Sequence, residues 1–327
     1  MNKLTKIGFT ALAGSLIAVS AHAGSMSVSG SASISFSDSD TDNASASTAE
    51  ANQWSMGDSL TFSGGGELDN GMTVAVKYEY DDDEADANEN SGGFDSHSIT
   101  LSSDEMGSIT FAGHGGDGAM SAIDDKTPNA YEESWDAVKN ADTQFVGGTS
   151  GDNMFTYKSP TISGAVLTIG YLPGGSKDSK TTTGGYADFG ITVKPEAVEG
   201  LEVAFAMGET EETAGTKVDE QAMYVKYTYG SITAGYQMNE ADGPTSATDV
   251  ETTAAGITYA ITDDITIAYN QASSDRANAT KDQDSTGISA SFTSGGITVA
   301  GAMNSVDNVA YGATDAEGYE FNISFAF

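Results

Sequence analysis

Five carboxylates crowd one stretch of this chain: Asp124, Asp125, Glu132, Glu133 and Asp136 all lie between Gly113 and Gly151. Acids held together in a narrow, partly desolvated space are screened less than in bulk water, so such a set favours cations over anions. A second acidic run, Asp81 to Glu84 with Asp86, offers hard oxygen ligands, and Asp82, Asp83 and Glu84 are the candidates for calcium. Runs of this kind are more often solvated faces than ion sites. Asp38-x-Asp40-x-Asp42 opens like an EF-hand loop, but Asn43 stands where the loop needs glycine and Ala49 where it needs glutamate, so the motif fails. Gly113-His114-Gly115-Gly116-Asp117-Gly118 satisfies G-x-G-x-x-G, yet no strand-helix-strand unit surrounds it, and a dinucleotide site requires one. There is no cysteine and no G-x-S-x-G, and His97 and His114 are the histidines beyond the first residues. Thiol chemistry is excluded, and nothing supports a serine nucleophile. The sequence points to no enzyme and no resident cofactor beyond a possible calcium.

The segments that must position these groups alternate with period two. Tyr319, Phe321, Ile323, Phe325 and Phe327 are apolar, and Glu320, Asn322, Ser324 and Ala326 between them are small or polar. Period two places one apolar and one polar face on an extended strand. The same pattern recurs at Val74-Val76-Tyr78-Tyr80, Ala165-Leu167-Ile169-Tyr171, Leu201-Val203-Phe205-Met207 and Met223-Val225-Tyr227-Tyr229, and in all it predicts sixteen strands. Connections alternate short and long. The short ones carry turn chemistry such as Asn70-Gly71 and Gly295-Gly296, and the long ones include 38–54, 82–94 and, longest, 113–151. An even strand number, short turns on one rim and long loops on the other describe an antiparallel transmembrane β-barrel. A soluble sandwich would charge its outer face; here the polar face is mostly Ser, Thr, Gly and Ala, small enough to line a water-filled lumen. Alternation then turns Lys77, Glu79, Asp188 and Lys226 inward as groups of the wall, together with Lys158, Glu202 and Glu320. Within 113–151, Asn129 can cap a helix with Glu132 at the capping-box position. Tyr131, Trp135 and Val138 would then share one apolar face for packing against the inner wall.

The chain opens with Lys3 and Lys6, an apolar stretch over 7–19 and Ala21-His22-Ala23. This is the pattern of a secretory signal peptide over residues 1–23, leaving 24–327 as one barrel domain. No later stretch is long and apolar enough for a spanning helix, so insertion must be by strands. Acids number 48 against 13 basic residues, a formal charge of −35. Such a surface has no basic face for nucleic acid.

Signal, sixteen strands, eight long connections and the closing Tyr319–Phe327 strand together resemble the general diffusion porins of Gram-negative bacteria. The opening 24–36 strand and the Gly/Ser/Asp-rich texture are most similar to the alphaproteobacterial, Rhodobacter-type branch. The resemblance implies a homotrimer in outer-membrane lipid and lipopolysaccharide, inserted by the barrel-assembly machinery and passing small hydrophilic solutes. It implies that the third long loop, 113–151, folds into the lumen as a constriction, and that rings of lumen charge set ion preference. The chain departs from that family in one respect: porins of this type set a cluster of arginines opposite the acidic loop, whereas here Arg276 is the only arginine, placed by the pattern in the seventh long loop. The expected outcome is a cation-preferring pore. Rival expectations are a solute-specific channel with a binding site in the same lumen and, more distantly, a secreted acidic adhesin or surface-layer protein.

Overall fold

The computed structural model describes residues 25–41, 53–81, 94–138, 141, 148–149, 151–174, 184–211, 216–245 and 249–327. The signal segment 1–23 and the calcium candidates Asp82, Asp83 and Glu84 lie outside them. Sixteen strands form in chain order. They are β1 (Ser25–Thr41), β2 (Gln53–Glu67), β3 (Thr73–Asp81), β4 (Ser96–Ser103), β5 (Gly107–His114), β6 (Met154–Lys158), β7 (Ala165–Leu172) and β8 (Tyr186–Val193). There follow β9 (Leu201–Glu211), β10 (Lys217–Tyr229), β11 (Ile232–Asp242), β12 (Val250–Ala260), β13 (Ile265–Arg276), β14 (Gln283–Ser294), β15 (Ile297–Asp307) and β16 (Ala316–Ala326). Each pairs antiparallel with its neighbours, and β16 closes on β1.

Closure is what the environment demands. Lipid offers no partner for a strand edge, and each unsatisfied backbone group there costs several kcal/mol, roughly. The seam runs from Ser31↔Ala326 to Thr41↔Ala316, and Phe327 extends it by exchanging backbone hydrogen bonds of 2.8 and 2.9 Å with Gly30. The short turns sit on one rim. At Asn70-Gly71 the chain reverses with Gly71 at φ 80°, the left-handed region in which side chains are strained.

Alternation sets the two faces as the sequence predicts. Outward positions hold the exposed apolar residues, among them Val28, Ile34, Ile169, Phe189, Val203, Ile257 and Ile288. Tyr80, Tyr171 and Tyr229 stand exposed near strand ends, where an aromatic girdle meets the membrane interface. The hydrophobic surface therefore lies outside, and the packed interior is small and specific. One cluster joins Ala119, Met120 and Ile123 of the third long loop to Ala204, Ala206, Ala222 and Tyr224 on β9 and β10. A second joins Trp135 and Val138 of the loop to Ala254, Ala272, Val306 and Ala316 on β12, β13, β15 and β16. Both clusters use inward-facing wall residues, so the loop lies inside the barrel.

Two sequence expectations are corrected. Residues 129–138 are not a helix. The segment is a chain of turns, with Val138 N donating to Trp135 O at 2.9 Å and Asp136 N to Glu133 O at 3.4 Å, both three residues apart. Asn129 Nδ2 donates to Glu133 Oε1 at 2.7 Å, so the capping box with Glu132 does not form. The cause is competition for the carbonyls. Asn270 and Asn304 on the wall donate to Glu132 O and Glu133 O, which a helix would have used itself. The second correction is Arg276, which is the last residue of β13 rather than a loop residue. Its guanidinium lies 4.3 Å above the Tyr311 ring.

Candidate functional site

The loop leaves β5 at His114 and runs along the inner wall from β8 to β16. Asp188 receives Met120 N at 2.9 Å, and Gln237 and Asn239 on β11 donate to Asp124 O while Lys126 N donates back to Gln237 Oε1 at 2.6 Å. Ala130 N then donates to Ser289 Oγ on β14 at 3.1 Å, and Tyr131 OH donates to Glu320 on β16. Ser134 and Ser285 hydroxyls meet at 2.7 Å. The docking partners are wall side chains, and what they bind is largely the loop's backbone. Gln237, Asn239, Asn270 and Asn304 are thus functional residues that the sequence reading missed. The signal was present: amides at inward positions of strands whose other inward residues are mostly Ala, Gly, Ser and Thr.

This arrangement frees the loop's carboxylates. Asp125 and Asp136 are exposed to the lumen, and Asp124, Glu132 and Glu133 are half-buried. Burial pushes the Asp124 carboxyl up to about 6. Burial, then the charges of Asp136 and Glu320, push Glu132 up to about 7. Glu133 is driven further in the same direction by burial and by its contacts with Asp136 and Asp125. Tyr131 is raised as well, by burial and by Glu320 beside its hydroxyl. Like charges this close cannot all ionise at once. One oxygen each from Glu132, Glu133 and Asp136 lies within 4.8 Å of the others, the one acidic set among the described residues that a single cation could span.

The wall groups divide. Lys77 and Glu79 face inward on β3, with Nζ 2.8 Å from Oε2, and Ser59 and Ser96 also donate to Glu79. Lys226 lies 3.7 Å from Glu202 Oε1, and Lys194 reaches Glu202 Oε2 at 3.1 Å. Tyr224 OH donates to the same carboxylate at 2.5 Å. Lys158 ends β6, exposed and inward by alternation. Asp188 faces inward as the pattern places it, but only 3% of it is exposed, because the loop covers it. It serves as an acceptor for the loop and wall rather than as a charge on the open lumen. Hydrogen bonds to a charged acceptor contribute about 1.5–3 kcal/mol each. Three of them offset a desolvation cost of several kcal/mol, on the order estimated for buried ions.

The covered wall contrasts with β1–β4, where no described residue is buried. Besides Lys77 and Glu79, their inward positions are mostly hydroxyls: Ser27 to Ser37 at alternate sites, Ser55, Ser59, Thr61, Ser63, Ser98, Thr100 and Ser102. The loop thus leaves this hydroxyl wall uncovered.

Comparison with known proteins agrees with this geometry. A family model described as Gram-negative porin matches residues 8–280. No curated protein sequence matches the chain. Among solved structures, the Salmonella typhi OmpF complex with daunomycin aligns with TM-score 0.71 at 13% identity, over 95% of this chain and 100% of its own. An anion-selective porin from Comamonas acidovorans aligns with TM-score 0.65 at 14% identity, over 93% and 100%. A triple mutant of the Rhodopseudomonas blastica porin aligns with TM-score 0.63 at 16% identity, over 92% and 100%. With the family match spanning most of its length and a closed barrel that aligns with those of solved porins, the chain belongs to the Gram-negative porin family, the diffusion pores of the outer membrane.

Proposed function

We propose that the pore prefers cations and passes small hydrophilic solutes by passive diffusion, with the constriction set between the 113–151 loop and the β1–β4 wall. The observation that carries this reading is the imbalance of free charge across the passage. Most of the inward bases are already engaged: Lys77 by Glu79, and Lys194 and Lys226 by one shared Glu202, while Lys126 Nζ rests on the Asp125 carbonyl and Lys158 stands exposed at the far end of β6. Asp125 and Asp136 are exposed on the loop, and no salt bridge among the described residues reaches them. Acidic lining of a narrow passage favours cations. Fold does not decide the sign, since a porin of like fold from Comamonas acidovorans is anion-selective. Local charge decides it. Assembly as a homotrimer in lipopolysaccharide-bearing membrane, after removal of residues 1–23, completes the proposal; the broad apolar outer surface supports the lipid-facing part.

The test is reversal potential across a planar bilayer under a potassium chloride gradient. The expected sign is that of cation preference, and an anion-preferring or unselective pore would overturn the reading. Linear flux with rising solute is expected too; saturation would favour a solute-specific channel.

A further inference from the structure

Both limbs of the loop converge on one place on the wall, next to where the loop leaves and rejoins the barrel. Asp188 on β8 is buried, has no basic partner among the described residues, and accepts three hydrogen bonds from three segments. These come from Met120 N of the outgoing limb at 2.9 Å, Gly170 N of β7 at 2.7 Å and Tyr186 OH of its own strand at 2.9 Å. The approach is as close as backbone allows. A Cβ on Gly118 would stand 2.1 Å from Asp188 Oδ2, and one on Gly170 2.3 Å from Oδ1. The returning limb rests on the partner side chain, since a Cβ on Gly148 would lie 2.2 Å from the Tyr186 hydroxyl. Beside it the Thr149 and Thr210 hydroxyls meet at 2.8 Å, and Gly116 and Gly151 exchange backbone bonds of 3.1 Å that tie the limbs together.

We propose that Asp188, seated on Tyr186, is the positioning residue that clamps the root of the 113–151 loop and so holds the constriction at one width. The inference rests on the pore reading above and extends it to a residue that does not touch the permeating ion. The far part of the loop is held by Trp135 and Val138 in an apolar cluster. The near part packs Ala119, Met120 and Ile123 against β9 and β10, and its polar groups need partners as well. There the converging donors need an acceptor with two oxygens and no hydrogen, which is a carboxylate. Asparagine keeps the shape but turns an N–H₂ toward donors.

Single-channel recording tests this, because a residue that only helped the barrel fold would change yield and heat-modifiability while leaving the surviving channels quiet. Asp188→Asn should insert as heat-modifiable barrel and show open-channel current variance raised about threefold or more, as when a local opening becomes populated. Tyr186→Phe removes one of the three bonds and should give a smaller rise, and it carries the test if the Asp188 variant does not insert. The chain has no cysteine, so Thr149→Cys with Thr210→Cys can form a single tether at the clamp. In the Asp188→Asn background, or in Tyr186→Phe if that variant carries the test, its oxidation should return the variance to the wild-type value and its reduction should restore the noise. Quiet channels in both Asp188→Asn and Tyr186→Phe, or noise that the oxidised tether does not suppress, would overturn the clamp. A wild-type chain that forms no channel at all would instead overturn the pore reading beneath it.

Discussion

Along β1–β4 the inward positions are mostly serine and threonine, and no described residue of those strands is buried. Along β8–β12 the inward positions include Gly190, Ala204, Ala206, Ala222, Ala254 and Gly256, and every one of them is buried. Both walls obey one alternation, face one lumen and pair through the same ladder, yet one is wetted and the other is a floor for a loop. The difference lies in what each side chain leaves room for. A hydroxyl lining satisfies water. A methyl or a hydrogen admits a second layer of backbone, as at Gly256, where a Cβ would meet the Pro128 carbonyl at 2.3 Å. The two linings lean in opposite directions, toward hydroxyls where the wall is bare and toward methyls and hydrogens where it is covered, with buried Thr252 among the exceptions.

Removing the second layer is the most direct way to break this contrast. Excision of residues 120–138 should raise single-channel conductance about twofold or more and admit larger solutes, since the narrowest section governs passage. Unchanged conductance would place the constriction on the barrel wall near Lys77 and Lys226. Loosening the layer should have a smaller effect. Trp135 is 6% exposed in the far cluster, and Trp135→Ala should lower the opening free energy of the loop by about 3 kcal/mol, the low end for such truncations. Hydrogen exchange of the loop amides reads this, and Ser33→Ala on the bare wall should leave that exchange unchanged.

Titration probes the same layer more gently. Glu132 is raised from 4.5 to about 7, so the docked loop binds more protons than the released one. Docking should therefore be strongest below about pH 4.5 and weaken as pH climbs through about 7. Cation preference should rise over the upper part of the same window, as Glu132 and Asp124 lose protons in place. The groups facing Glu132 are Asp136, Glu320 and Tyr131. Reversal potential followed from pH 5 to 8 should show the step, and Glu132→Gln should flatten it. A step of full size in Glu132→Gln would assign it elsewhere. The smallest effect belongs to the bare wall: Lys77→Gln should shift the cation-to-anion permeability ratio by less than about twofold, because exposed ion pairs contribute little, about 0–1 kcal/mol. A large shift would make that wall an equal partner in selectivity.

The sequence made the strands legible because alternation is enforced locally, residue by residue, by two different solvents. Val203 and Phe205 had to meet lipid, and Ala204 had to turn inward. It also marked the loop's docking side chains, since Trp135 and Val138 lack other shelter. It could not distinguish Asp188 from Glu79, because alternation reports which face a residue occupies and not whether another segment lies over it. Nor could it reveal that 129–138 would forgo a helix. The local pattern favoured one, but Asn270 and Asn304, more than 130 residues away in sequence, claim the carbonyls, and tertiary partners outweigh propensities of a few tenths of a kcal/mol, roughly, per residue. Arg276 was misplaced by strand length alone, as β13 runs four residues past Ala272.

The wall grips the loop chiefly by its peptide groups: Asp124 O, Lys126 N, Ala130 N, Glu132 O and Glu133 O all bind wall side chains. Peptide groups are the same whatever residue carries them. The seat is therefore indifferent to the identity of several side chains it displays, much as a socket is indifferent to the lamp. At Asp125 and Asp136, exchanging acid for amide or base leaves every one of those contacts available. Ion preference can then drift over generations, or be rewritten at the bench, while the barrel that carries it stays as it is.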